Sequence, residues 1–214
     1  MSIKVEKVQV AGWESALRGM RNARYSWANS DTIYDEKGFP QIGHNDMNLL
    51  QCLYATGKPD RKCLRQIAIW MDITAPLYFW NDFDVYKVGL VPDSTSTSGK
   101  ICGKNDFVLD DFAHEDLTPD ELVDLKKNIA EINCLRDLYK NTKDPKIKEQ
   151  HYRRIFQKLP NSFIQTRTQY FNYEVAYNMR DQRQFHPLKE WRDLIRTFDV
   201  VLPYFEEIRA KVEK

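Results

Sequence analysis

Residues 74–98 read TAPLYFWNDFDVYKVGLVPDSTSTS and concentrate side chains that can hold a ligand. An Ala75-Pro76 step leads into Tyr78, Phe79 and Trp80. Asp82, Asp84 and Lys87 follow, then Asp93 and the hydroxyls of Ser94, Thr95, Ser96 and Thr97. Clustered hydroxyls and one ammonium can offer hydrogen-bond donors to a phosphate. The flat rings of Tyr78, Trp80 and Tyr86 can stack on a planar group. The same residues also fit a solvated Ser/Thr loop beside an aromatic core, so composition leaves both readings open.

A second group lies near the C-terminal end. Arg183 precedes His186, Pro187, Glu190 and Arg192. Glu190 and Arg192 are two residues apart, so on a helix they face different ways and cannot form a simple ion pair. Nucleotide contacts and separate surface pairs both fit. His186 stands at an expected helix start, where a capping role fits as well as a chemical one. A third group is Arg21, Arg24 and Ser26. No G-x-G-x-x-G or Walker-type loop occurs. The cysteines (Cys52, Cys63, Cys102, Cys134) and the four histidines are scattered without metal-type spacing, so no zinc site is expected.

The chain has 214 residues and 42% hydrophobic content, enough for one sizeable core. Its net charge of +1 gives no electrostatic footprint for duplex nucleic acid. No apolar run is long enough to span a bilayer. The opening MSIKVEKVQV is charged rather than signal-like. Reduced thiols and a cytoplasmic location are expected.

The elements that must position these groups follow from periodicity. IKVEKVQVAGW alternates imperfectly and predicts a strand. ESALRGMRNARYSW has helical spacing. A polar loop precedes DMNLLQCLYATG, a helix expected to be capped by Asn45 and closed by Gly57. Asp60 is expected to cap a short helix, RKCLRQ. IAIWMDIT predicts a buried strand. APLYFWNDFDVY reads as a helix with Pro76 in its first turn. KVGLVPDSTSTSGKICGKND reads as a loop or short hairpin. Thr118-Pro119-Asp120-Glu121 is a capping box for a helix to about Lys140. DPKIKEQHYRRIFQKLP is a helix ending before Pro160. SFIQTRTQYFNYEVAYNMRDQR is expected to be mainly helix. PLKEWRDLIRTFDVV and PYFEEIRAKVEK are helices separated by Pro203. The sum is an α+β single domain over 1–214: a small mixed or antiparallel sheet flanked by helices, with a largely helical C-terminal half.

This order of landmarks resembles the flavin-dependent thymidylate synthases across roughly residues 3–205. The residues that carry the resemblance are RNARYSW, APLYFW, the hydroxyl loop, the capped helix, a helix ending in Leu159-Pro160, and HPLKEWRDL. In that family an Ala-Pro step leads to a Gln, an Arg-His-Arg triplet, then seven residues and a Ser. Here Asp82 takes the Gln position and Val85-Tyr86-Lys87 the triplet, while Thr95 takes the Ser position. The family's next Arg-Tyr pair falls on Thr97-Ser98. At the other end, Arg153-Arg154 leads to Leu159-Pro160, and Arg183, Glu190 and Arg192 match in type.

The resemblance implies a homotetramer, FAD as cofactor, folate as one-carbon donor, and a deoxyuridylate (dUMP-like) substrate methylated at C5. It assigns nucleotide or flavin binding to Arg24, Tyr86, Lys87, Ser94, Thr95, Ser96, Arg183, Glu190 and Arg192. The triplet has lost a guanidinium and an imidazole, and Asp82 and Asp84 add negative charge beside it. Lys87, Lys100 and Lys104 are the compensating cations. A catalytically inactive protein that keeps the fold is the alternative.

Overall fold

The computed structural model describes residues 3–57, 59–86 and 88–210. In chain order its elements are β1 (Lys4–Ala11), α1 (Trp13–Met20), β2 (Ile33–Tyr34), β3 (Pro40–Gln41), α2 (His44–Thr56), β4 (Ala68–Pro76), α3 (Leu77–Phe83) and β5 (Val91–Ser94). They continue with α4 (Thr97–Cys102), α5 (Pro119–Asn141), α6 (Pro145–Lys158), β6 (Ile164–Asn172), α7 (Tyr173–Arg183), α8 (Lys189–Val201) and α9 (Phe205–Arg209). Four strands form a small antiparallel sheet in the order β1-β4-β6-β5, flanked by helices, as an α+β chain should. β2 and β3 form a separate antiparallel pair, with Ile33 opposite Gln41. The chain divides into two compact units, and β4 and β6 contribute residues to both.

The first unit gathers Ile73–Val85 and Asp93–Arg167. Its core joins Leu125, Ile129, Ile132 and Leu135 of α5 to Ile155 of α6, Ile101 of α4, and Phe107, Phe112 and Phe163. The α5 start is the expected capping box: Thr118 Oγ1 accepts from the Glu121 amide, and a Glu121 carboxylate oxygen accepts from the Thr118 amide. Asp144 caps α6 by accepting from the Lys146 and Ile147 amides. Arg136 lies fully inside this core, at 0% exposure. Its guanidinium donates to the carbonyls of Ile101 (3.1 Å), Gly103 (3.2 Å) and Asn105 (2.8 Å) and to the Asp106 carboxylate (2.6 Å). One side chain thus ties the end of α4 to the irregular segment 103–106.

The second unit gathers Val5–Asp72, Tyr86–Pro92 and residues from Thr168 onward. The imperfect alternation of β1 has a local cause. Lys7 takes a left-handed backbone (φ 52°), which shifts the phase so that Val5, Val8 and Val10 face inward. Trp13, Leu17, Leu50, Ile69, Met71, Phe171, Trp191, Phe198 and Phe205 fill the core. Tyr173 and Tyr177 are buried with their hydroxyls donating to the Pro203 and Phe205 carbonyls, at 2.7 and 2.8 Å. Burial pushes both phenol pKa values up.

Loop 30–32 and helix α2 are joined by Asp46, which is fully buried. Its carboxylate accepts from Arg21 Nε, Ser30 Oγ and Thr32 Oγ1, all at 2.6 Å, and from the Thr32 amide. Burial alone would raise its pKa. The Ser30, Thr32 and Arg21 hydrogen bonds and the Arg21 charge outweigh burial and hold it below the usual value.

Several sequence expectations are corrected. Residues 164–172 are strand, not helix: Ile164, Thr166, Thr168 and Tyr170 alternate with Gln165, Arg167 and Gln169, a period of two. The helical part begins only after Asn172, whose side chain accepts from the Val175 amide. Residues 91–102 contain a strand and a six-residue helix rather than a loop alone. The α2 start is capped by Asp31, which accepts from the Asn45 and Asp46 amides, not by Asn45. α1 stops at Met20 and gives way to 3₁₀ turns at Asn22–Arg24 and Trp27–Asn29. Arg61–Arg65 is also 3₁₀, and Asp60 makes no side-chain cap there. Gly57 does close α2, with φ 111°. The end of the last expected helix, 211–214, lies outside the described residues. All four cysteines are free thiols. Among the described residues no helix is long and apolar enough to cross a membrane, and no group of three metal-ligating side chains converges.

Two stability predictions follow. Asp46→Asn leaves the buried Arg21 without its counter-charge and should cost about 3–5 kcal/mol in urea denaturation. The folded pKa of Asp46 is depressed, so its contribution is full above the unfolded value of about 3.9 and fades as pH falls through the folded value. The gap between wild type and Asp46→Asn should therefore shrink on acidification from about pH 5. A gap independent of pH would contradict this. Arg136→Lys keeps the charge but not the fork, and should cost about 3 kcal/mol through the lost carbonyl bonds.

Candidate functional site

In the first unit the Ala75-Pro76 step turns β4 into α3. Pro76 is extended (ψ 158°), and the first α3 amides donate outward: Leu77 to the Phe163 carbonyl (2.9 Å) and Tyr78 to that of Asn161 (3.0 Å). These bonds satisfy amides that a helix start leaves open. Trp80 is then fully buried, and its indole N–H reaches the Ala75 and Gln165 carbonyls. A flat ring is thereby fixed in place. Arg167 of β6 lies over it, its guanidinium carbon 4.3 Å from the ring centroid. Arg167 Nη1 donates to Asp84 Oδ1 at 2.8 Å, and Nη2 reaches Gln165 Oε1 at 3.4 Å.

The hydroxyl loop is bound into its surroundings. The Thr95 amide donates to the Thr166 carbonyl, and Thr95 Oγ1 accepts from the Thr166 amide. Ser96 Oγ caps α4 by accepting from the Gly99 amide at 3.0 Å. Thr97 Oγ1 accepts from Gln165 Nε2 at 2.8 Å. Ser98 Oγ and the Tyr152 hydroxyl are hydrogen-bonded at 2.6 Å. Ser94 is exposed at the end of β5. Lys100 is paired with Asp111 at 2.8 Å, so one of the compensating cations is already engaged. Lys87 lies outside the described residues.

In the second unit Tyr86, Arg183 and Trp191 come together. The Tyr86 hydroxyl accepts from Arg183 Nε and donates to Gln182 Oε1, both at 2.9 Å. The Arg183 guanidinium carbon is 5.0 Å from the Trp191 ring centroid and 5.5 Å from that of Tyr86. Trp191 is fully buried and His186 stands edge-on to it. His186 Nδ1 accepts from the Leu188 amide at 3.2 Å, which places its proton on Nε2 in this arrangement. Arg192 Nη1 donates to the carbonyls of His186 (2.6 Å) and Pro187 (2.7 Å), closing the turn that leads into α8. Glu190 is buried in the first turn of α8. Arg24 is exposed at the end of its 3₁₀ turn, whereas Arg21 serves Asp46.

The structure thus brings Tyr86 and Arg183 together and sets Arg192 in the turn beside His186. Sequence reading missed Arg167 and Gln165. Their signal was the period-two pattern of IQTRTQYFN, obscured by dense aromatics read as helix. It also took Asp84 as uncompensated charge, whereas Arg167 neutralises it.

No family model matches the chain, and no curated protein matches it in sequence. Among solved structures the chain is similar to thymidylate synthase X from Helicobacter pylori with FAD and dUMP. The TM-score is 0.67 at 15% identity, over 98% of this chain and 96% of that one. A second structure, flavin dependent thymidylate synthase ThyX from the same organism complexed with FAD and dUMP, gives 0.66 at 14%, over 98% and 97%. The chain has a thymidylate synthase X-like fold.

Proposed function

We propose that the chain binds a flavin nucleotide, a dUMP-like pyrimidine deoxynucleotide, or both, as a divergent flavin-dependent thymidylate synthase-like protein. The observation that carries the reading is Arg183 held against the rings of Tyr86 and Trp191. A guanidinium positioned by the Tyr86 hydroxyl and backed by the buried Trp191 ring suits an anionic ligand. The thymidylate synthase X-like fold supports it, since its relatives in Helicobacter pylori were crystallised with FAD and dUMP. In this reading Arg183 supplies charge and Tyr86 orients it, with Arg192, Glu190 and Arg24 as further polar groups. Separately, within the first unit, Ser94, Thr95 and Ser96 are candidate phosphate contacts, and Lys87 is a candidate from the sequence. Reduced flavin would supply the hydride and a folate the carbon for methylation at C5 of the nucleotide. Assembly as a homotetramer in the cytoplasm belongs to the same proposal.

A second reading, a binding or regulatory protein without turnover, is favoured by the closed hydroxyl loop. Ser96 and Thr97 already serve α4 and Gln165. Each charged hydrogen bond absent from a phosphate site is worth about 1.5–3 kcal/mol.

The test has two arms. Purified protein given FAD and then desalted should retain a flavin absorption band, or dUMP should raise its melting temperature. A ligand at a hundred times its Kd stabilises the fold by about 2.7 kcal/mol. Arg183→Lys should weaken that binding about tenfold or more while leaving the fold intact. The absence of both flavin retention and a dUMP shift would overturn the binding proposal. dUMP-dependent oxidation of reduced flavin would decide for the synthase and against the silent reading.

A further inference from the structure

Arg167 is a guanidinium with spare donors and a displaceable partner. Its side chain is 13% exposed, while that of its partner Asp84 is 52% exposed. Its Nε is buried and makes no hydrogen bond. Nη1 has the Asp84 bond and Nη2 only a long one to Gln165. A guanidinium has five N–H donors, so several of its bonds remain unmade. The Trp80 ring beneath it is immobilised by two indole hydrogen bonds, so the cation stands on a rigid base.

Asp84 is placed where a carboxylate gains nothing from its helix. It is the C-cap of α3, at the end where the helix dipole disfavours negative charge. Its side-chain partner is Arg167. An acid seated against its own helix and held by one exposed ion pair is an anion that another anion can replace. Through Gln165, which accepts from Arg167 and donates to Thr97 Oγ1, that exchange is connected to the first residue of α4.

We propose that Arg167 is a phosphate-binding residue and that Asp84 is its internal competitor. Asp84 occupies the guanidinium until a phosphate group displaces it, and so sets the affinity threshold of the site. The ligand class is a phosphate monoester or diphosphate, for which a guanidinium fork is a good geometric match. The inference deepens the nucleotide reading but does not require it, because inorganic pyrophosphate serves as the probe.

Titration calorimetry of the full chain with pyrophosphate tests it. Asp84→Asn keeps the size of the side chain and removes the competing charge, and it should bind pyrophosphate about tenfold more tightly or better. Adding Arg167→Gln should abolish the gain. In wild-type protein, the Arg167 Nε–H resonance, assigned by its loss in Arg167→Gln, should shift on saturation with pyrophosphate. That measurement holds if the double variant folds poorly. Unchanged affinity in Asp84→Asn, a gain that survives in the double variant, or a static Nε–H resonance would each overturn the proposal. Tighter pyrophosphate binding with neither flavin nor dUMP binding would uphold the Asp84 competition and refute the nucleotide reading. Flavin or dUMP binding with no Asp84 effect would do the reverse.

Discussion

A guanidinium withdrawn from water must recover its hydration from the protein, because an uncompensated buried charge costs several kcal/mol. Arg136 does so with backbone carbonyls, Asn133 and the Asp106 carboxylate, which together hold the segment 103–106 against the end of α4. Arg21 does so with Asp46, which in turn gathers Ser30 and Thr32. Arg180 does so with Asp199 and Glu206, tying α7 to α8 and α9. In each case the charge organises chain that has no regular secondary structure, or joins helices whose apolar faces alone would leave register free. Arg167 is less completely bonded, since its Nε is buried without a hydrogen-bond partner.

The parts legible in the sequence were those encoded locally. The Thr118–Glu121 capping box, Gly57 after α2 and the strand IAIWMDIT each declare themselves within a few residues, and each forms as read. The failure at 164–172 was a conflict between two local signals. Aromatic density suggested a packed helix, while the β-branched and polar alternation marked a strand, and pairing with neighbouring strands decided for the latter. The cap of α2 failed for another reason. Asp31 lies 14 residues before the Asn45 amide it accepts, beyond the reach of a capping rule.

The candidate site was legible as a location and not as a set of partners. Tyr86 and Arg183 are 97 positions apart, and Arg167 and Asp84 are 83 apart. Nothing in either segment announces the other. Residue types alone therefore suggested that a lost Arg-His-Arg triplet left a deficit of cations, with two aspartates making it worse. In the first unit, strand β6 brings Arg167 to one of those aspartates, and in the second, α7 brings Arg183 to Tyr86. Guanidinium groups are present, supplied by other elements.

The hydroxyls tell the complementary story. A Ser/Thr cluster can either wait for a ligand or serve the backbone, and short side chains near a helix start usually do the latter. Ser96 and Thr97 serve α4 and Gln165, so their oxygens have defined structural work. Thr95 differs. Its Oγ1 accepts from the Thr166 amide, and that bond leaves the hydroxyl proton to be directed elsewhere. Within the first unit, the phosphate contact proposed at Arg167 would rest on its guanidinium more than on a cradle of loop hydroxyls. Such a site would be built from charge more than from loop donors, since Ser96 and Thr97 are already engaged.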